Sequence, residues 1–469
     1  MTPKKSRKGT RKTRKAGKTD GTGGAGVKRS EKGLRPPKEI YALLESQLSH
    51  RKEKETHGEV FTPLHLVEEL CDMFPASLWK DKDRTWLDPA TGMGTFMVVV
   101  FYRLMVGLAE EIPSVEKRAQ HIVGKMLYLV EVNPTSVQTC RQVFRKLCPS
   151  CPLKVYSGDF LEDLPASWPA TFDVVLGNPP YNLGGTKRVG TKRAHLLFTE
   201  KGLSLLEGGR GYLGYICPPS YRQAGSVMNQ MFQKAGGHLV ALRILGAKET
   251  YQVFRIQGRV DVFVYQAKGG GGGGKTTMVD EFGEKSVVEW DMSQHLPNFG
   301  WPVFQRLFAA VRRLGGVEAF RTTESSTVHL PSGGLGGTHR LLHLIVEAGR
   351  RVIRQSKAHS LEKVPKVFVN GLGVPYVYYD KKGKYGPTQS PIVVLRPSPA
   401  VVRLLQSSLF QCIVWGLRLT GNNNLPYLFD AVPAVRSKDF WSELGVTAGE
   451  RKWIEERFPL PAFQDVEVA

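Results

Sequence analysis

The sequence predicts an α/β protein: a doubly wound, largely parallel sheet of seven strands with helices on both faces, followed by a smaller mixed domain. Three observations lead there. Between Thr85 and Ala267, short β-rich runs alternate with amphipathic stretches, the pattern of parallel βαβ units. The first run enters a glycine loop, "DPATGMGTF" (Asp88 to Phe96), a strand-to-helix turn at which a ligand can approach the backbone. Six consecutive glycines, Gly269 to Gly274, then separate this region from a stretch of different texture.

The chain has 469 residues, more than one core usually organises, so two folded domains plus tails are expected. Residues 1–38 hold 14 of the 65 Lys and Arg and only two of the 43 acids. They lack aromatic and nearly all large aliphatic residues, so they read as a disordered basic arm. The net charge of +22 favours a polyanionic partner, nucleic acid above all. No apolar core follows the first positive charges, which excludes a secretory signal.

The seven strands expected in residues 39–267 are "TWLDPA", "MLYLVEV", "KVYSGDF", "FDVVLGN", "RGYLGYICPP", "HLVALRILGA" and "RVDVFVYQA". "GTFMVVVFYRLMVGLAEE" and "PTSVQTCRQVFRKLC" are helices between them, the second with proline in its first turn. The longest apolar run, Phe96 to Ala109, contains Arg103 and is too short and too charged to span a bilayer. Residues 268–275 read as a flexible linker or loop, because a glycine run has no side chains to pack. Residues 276–469 form the expected second domain. Six cysteines without a regular framework suggest a reducing compartment. Cys140, Cys148 and Cys151 could offer three zinc ligands but no obvious fourth, so no metal is expected.

In an open parallel sheet, ligands bind beyond the carboxyl ends of the strands. Asp88 and Pro89 precede the glycine loop, and no Lys-Ser/Thr follows it, which favours a ligand with a cationic amine over a triphosphate. Glu131, ending the second strand, is placed to take ribose hydroxyls. Asp159 can accept from an exocyclic amine, and Phe160 can lie against a base. Together these describe an adenosine pocket. The fourth strand ends in "NPPY" (Asn178, Pro179, Pro180, Tyr181). Its prolines remove two N–H donors, leaving an amide oxygen and a carbonyl to accept from a planar amino group, with Tyr181 offering a face for stacking.

"HGEVFTP" (His57 to Pro63), "DPATGMGTF", "VEVNP", "GDF" and "NPPY", in that order, resemble the motifs of class I S-adenosylmethionine-dependent methyltransferases. The closer likeness is to the gamma-class adenine-specific (N6) DNA methyltransferases, over about residues 57–267. The resemblance implies a Rossmann-like seven-stranded methyltransferase sheet and S-adenosyl-L-methionine as methyl donor. It implies site-specific methylation of the N6 amine of an adenine flipped out of DNA, as in restriction-modification, and a C-terminal target-recognition domain. Thr62 and Pro63 would flank the methionine part of the donor, which Asp88, Ala90, Gly92 and Gly94 would cradle. Glu131 would hold the ribose, and Asp159 and Phe160 the donor's adenine. Asn178, Pro179, Pro180 and Tyr181 would handle the target.

By the same resemblance Phe254, in "YQVFRIQGR", would face the other side of the flipped base, although an ordinary core phenylalanine fits the position equally. Lys187 and Arg188, in the loop after the motif, would touch phosphate. In the last third, Tyr376, Tyr378, Tyr379 and Tyr385 interleave with Lys381, Lys382 and Lys384, and "RLTGNNNLPYLFDAVP" adds amides able to read base edges. Double-stranded DNA is the expected partner and no membrane is expected. A monomer is favoured, in the cytoplasm or, given the arm, in the nucleus of a host cell. Methylation of protein glutamine or of guanine N2 in RNA is the alternative, since each presents an amino group on a planar system. A non-enzymatic nucleic-acid-binding relic is a further one.

Overall fold

A computed structural model of the protein describes residues 62–181, 193–208, 211–267, 274–322, 339–345, 351–356, 360–371, 373–387, 390–419, 426–461 and 467–468. The basic arm, Lys187 and Arg188 lie outside the described residues.

All seven expected strands form: β1 (Trp86–Asp88), β2 (Leu127–Glu131), β3 (Lys154–Ser157), β4 (Val174–Gly177), β5 (Tyr212–Cys217), β6 (His238–Leu245) and β7 (Val260–Gln266). They lie in the order β3-β2-β1-β4-β5-β7-β6. The first five run parallel, while β7 is antiparallel to both neighbours. Chain order runs outward from β1 through β2 to β3, and on the other side from β4 to β5. The switch point therefore falls between β1 and β4.

The sheet continues past the glycine run. β8 (Lys275–Val279) pairs parallel with β6, and β9 (Lys285–Glu289) closes a hairpin on it, giving nine strands where seven were expected. The main sheet thus extends to Glu289, beyond the expected boundary at 267. In β8 only Thr276 and Met278 are buried, and two inward positions make a signal too short to stand out beside six glycines.

Alternation along the strands supplies two apolar faces. Trp86, Val174 and Leu176 enter one cluster, while Leu87 and Val175 enter the other. The first face is covered by α1 (Leu64–Asp72), α2 (Thr95–Gly107) and α4 (Pro134–Leu147). α3 (Val115–His121) precedes β2. α4 opens as its sequence predicts, with Asn133 accepting the Thr135 amide at 3.0 Å ahead of Pro134. The other face carries α5 (Ala194–Ser204) and α6 (Val227–Ala235), and α7 (Ala247–Phe254) links β6 to β7.

The C-terminal half is built on this second face. α8 (Trp301–Leu314), α9 (Pro399–Leu405) and α10 (Ser408–Leu417) bury Phe304, Leu404, Phe410 and Ile413 in the cluster that holds Leu213 and Phe263 of the sheet. α11 (Phe440–Glu443) and α12 (Ala448–Arg457) add Phe440 and Ile454. Beyond the helices stand a three-stranded sheet, β13-β12-β15, which turns Val367, Val369, Ile392 and Val394 into the same cluster, and a four-stranded one, β14-β10-β11-β16. Their strands are β10 (His339–Ile345), β11 (Arg351–Ser356), β12 (Lys366–Val369), β13 (Val377–Asp380), β14 (Gly386–Pro387), β15 (Ile392–Leu395) and β16 (Glu467–Val468).

A buried polar network ties the two halves. Arg222 and Asp261, both fully buried, pair at 2.7 Å, and the Tyr221 hydroxyl donates to the same carboxylate at 2.7 Å. Arg222 also donates to Asn298 Oδ1 at 2.9 Å, and Asn298 Nδ2 donates to the Trp415 carbonyl in α10 at 2.8 Å. Removing one partner of such a pair strands a buried charge, so the network holds the C-terminal helices in register with β5 and β7. Among the described residues no single helix is long and apolar enough to cross a membrane. α9 and α10 reach that length only together, across a 62° bend.

Candidate active site

Because β1, β2, β3 and β4 are parallel, Asp88, Glu131, Ser157 and Gly177 end on one edge of the sheet. The ends of β1 and β4 meet closely at the switch point. A Cβ on Gly177 would lie 2.8 Å from Asp88 Oδ1, so only glycine lets the two approach.

Asp88 is fully buried. One oxygen accepts the Ala90 amide at 3.1 Å, and Oδ2 is buried without a hydrogen-bond partner among the described residues. Burial raises its pKa from the ordinary 3.8 to about 7. The Ala90 amide opposes that rise and the nearby Glu131 charge adds to it. Glu131 organises the loop that follows Asp88. Its Oε2 accepts the Gly92 amide at 2.8 Å and its Oε1 the Asn133 amide at 2.8 Å.

The two loop glycines do different things. Gly92, at φ +56°, faces open space, as a ligand-side position should. Gly94, at φ +89°, faces α4: a Cβ there would sit 2.9 Å from Cys140 Sγ, so its smallness serves helix packing. Cys140 is therefore a core residue apart from Cys148 and Cys151, which are joined to each other, and the three do not converge on one point.

Asp159 folds into its own turn, accepting the Leu161 amide at 2.9 Å. Phe160 is buried against Phe198 of α5, with ring centroids 5.1 Å apart, so its ring is part of the core as well as a neighbour of the strand end.

At the end of β4, the Asn178 amide is held from one side. Its Nδ2 donates to Thr62 Oγ1 at 2.9 Å, while its Oδ1 is buried and has no partner among the described residues. Pro179 and Pro180 place no N–H beside it. Pro63, next to Thr62, caps α1 with its carbonyl, which accepts the Leu66 amide at 3.0 Å. Thr62 thus touches the Asn178 corner, a contact that its expected place beside the donor did not suggest.

Tyr181 borders both apolar clusters, and its hydroxyl is buried and unpartnered among the described residues. Burial raises its pKa well above 10. Its carbonyl accepts from His195 Nδ1 at 3.2 Å. A carbonyl can only accept, so Nδ1 carries the proton and Nε2 presents a lone pair, also buried and unpartnered among the described residues. Burial lowers the His195 pKa, keeping the ring neutral at physiological pH. Sequence reasoning missed His195, because nothing local marks a single histidine at a helix start as a brace for a motif 14 residues earlier.

Phe254 is 8% exposed and packs with Val260 and Val262, which is the core placement. Tyr251, one turn earlier on α7, is 52% exposed beside Arg255, at 5.7 Å, on the strand-end edge of the sheet. Of the aromatic residues expected to meet nucleic acid in the last third, Tyr376 and Tyr385 are buried. Tyr378 and Tyr379 are half-buried. Tyr376, Tyr378 and Tyr385 pack in the core of the small sheets and Tyr379 against the main cluster, since a Tyr/Val alternation in short strands packs inward first. Part of the amide-rich segment, residues 420–425, lies outside the described residues.

Residues 38–197 match the family model for N-6 DNA methylases. Over that segment the chain is similar to the N-6 DNA methylases. The resemblance read from the ordered motifs is thereby borne out. An uncharacterised adenine-specific methylase of Mycoplasma pneumoniae is 33% identical over 92 residues, 19% of this chain and 22% of its own length. The type II methyltransferase M.XhoI of Xanthomonas vasicola is 28% identical over 183 residues, 34% of this chain and 33% of its own. The chain spans no more than a third of the length of either relative. Similar solved structures include the methyltransferase subunit of a type I restriction-modification system from Streptococcus thermophilus. That subunit is 18% identical, with a TM-score of 0.38 over 54% of each chain.

In the methylase segment, the strand-end residues fit a methyl donor carrying an α-ammonium and a nucleoside. A buried carboxylate with one oxygen unpartnered among the described residues, Asp88 Oδ2, and the Thr91 hydroxyl beside that carboxylate stand next to a glycine that faces open space.

Proposed function

We propose that the chain transfers a methyl group from S-adenosylmethionine to the N6 amine of an adenine in DNA. The observation that carries this reading is the state of Asn178: a buried amide oxygen with no partner among the described residues, its nitrogen tied to Thr62, at the switch point beside Asp88. A buried orphan acceptor is costly, by about 1–3 kcal/mol, and persists where a ligand will supply the donor. Followed by two prolines, it calls for an N–H-bearing group. The family match and the methylase relative support adenine over glutamine or guanine as the bearer of that amine.

When bound, the donor supplies an electrophilic methyl group. Asp88 would pair with its ammonium, the Gly92 backbone would pass alongside it, and Glu131 and Asp159 would meet its ribose and base. Asn178 Oδ1 and the Pro179 carbonyl would accept from the target amine and stabilise positive charge developing on its nitrogen. Tyr181 would offer its ring to the base. An adenine must leave the duplex stack to reach this corner, and stacking on Tyr181 offsets part of that cost.

The test is methylation of DNA by purified protein with labelled donor, read by mass spectrometry of nucleosides. N6-methyladenine is expected for wild type, and for Asn178→Ala a loss of roughly 100-fold or more with donor binding retained. Label in protein glutamine or RNA guanine instead, or an unimpaired Asn178→Ala enzyme, would overturn the assignment.

A further inference from the structure

The structure holds a second charged site, away from the strand ends. A cleft of about 620 Å³ opens where the segment after β15 meets the start of α9 and the segment before α11. Arg396, Arg403, Arg436 and Lys438 all line it, and Glu318 is the only acidic residue that does. All four cations are exposed, and none forms an ion pair among the described residues.

Four cations lining one cleft with a single acid, Glu318, among them give it a net positive field, which becomes favourable when an anion enters. The backbone supports the same reading. Arg396 sits at φ +44°, in the left-handed region that a residue with a β-carbon rarely adopts, and strain of this kind persists where a side chain must be aimed. The cations come from three separate segments and remain in contact with solvent. A small free anion is held by a closed set of buried donors, whereas an open row of exposed cations suits a polymer with regularly spaced charges.

Resting on the reading of the substrate as DNA, we propose that this cleft holds backbone phosphates of the DNA being methylated. It lies in the C-terminal unit and would add positioning contacts to those expected of Lys187 and Arg188. Contacts of this class fix the duplex on the protein without reading its sequence.

The experiment measures binding of the full-length chain to a fluorescent duplex as a function of salt, from about 50 to 300 mM, where the slope counts phosphates neutralised at about 0.9 per contact. Arg396→Ala, Arg403→Ala, Arg436→Ala and Lys438→Ala are each expected to lower the slope by about one, and the four together by about three to four. The quadruple variant should bind DNA roughly 100-fold more weakly at low salt, with S-adenosylmethionine binding unchanged, which also reports an intact fold. A charge-matched control, Lys146, Lys234, Lys285 and Lys452 all changed to Ala, subtracts the effect of net charge and of the basic arm.

Equal slope changes in the two quadruple variants, an unchanged slope in the cleft variant, or a loss confined to duplex RNA would each overturn the assignment. So would displacement of DNA by micromolar inorganic phosphate. If wild type binds the donor but no DNA, it is the reading of the substrate that has failed, and this inference falls with it. If wild type binds and methylates DNA while the cleft variant binds equally well, only the cleft assignment has failed.

Discussion

Asp88 gives the sharpest quantitative test of the proposed donor site. Its carboxyl is fully buried and its pKa stands near 7 against 3.8 when exposed. Between those values the native protein holds a proton that the unfolded chain has released, so stability falls as pH rises, by about 1.4 kcal/mol per pH unit. By pH 8 the accumulated loss is about 4 kcal/mol, the largest part of it desolvation of the charge, with repulsion from Glu131 added. Asp88→Asn keeps an oxygen for the Ala90 amide and has no proton to lose.

The variant should therefore match wild type near pH 4 and unfold several degrees higher at pH 8, in thermal scans without ligand. Added S-adenosylmethionine should raise the wild-type midpoint at pH 8 and leave the variant's nearly unmoved, because the ammonium no longer meets a carboxylate. Donor affinity of wild type should fall about tenfold per pH unit below 7. A variant less stable than wild type at pH 8, or a difference that does not change with pH, would refute the reasoning.

Thr62→Val should lower kcat by roughly 10- to 100-fold with a smaller change in donor affinity, and Thr62→Ser should restore it, as measured by steady-state methylation and calorimetry. An equal loss in both variants would point to a purely steric role. His195→Asn keeps a donor at the place of Nδ1, so it should hold the Tyr181 carbonyl and stay near wild type. His195→Phe should raise the DNA KM and lower kcat, by roughly 10-fold together. Equal behaviour of the two variants would remove His195 from the corner.

Much of the site was legible because the residues concerned sit at strand ends, where a period-two apolar run stops against a charged or turn-forming residue. Asp88, Glu131 and Asn178 are placed by that rule, and β1 through β7 by alternation. What escaped was whatever depends on contacts across long separations. Thr62 reaches Asn178 across 116 residues, and α10 meets Asn298 across 117. β8 rejoins the sheet through two inward side chains that no window of sequence could weigh against a glycine run. The tyrosines of the last third misled for the opposite reason. Aromatic and basic residues interleave in a nucleic-acid surface and in a short half-buried strand alike, and burial alone tells them apart.

By itself, the order of residues determined the strand ends, the glycine turn and the hydrogen-bond-poor corner, because these follow from local backbone rules that prolines, glycines and apolar periodicity enforce within a few residues. Tertiary structure alone decided which polar atoms find partners and which, among the described residues, are left without one: the Asn178 oxygen, the His195 Nε2 and one oxygen of Asp88. Whether a group is satisfied depends on every segment packed around it. That information is spread across the whole chain, and it exists only once the chain has folded.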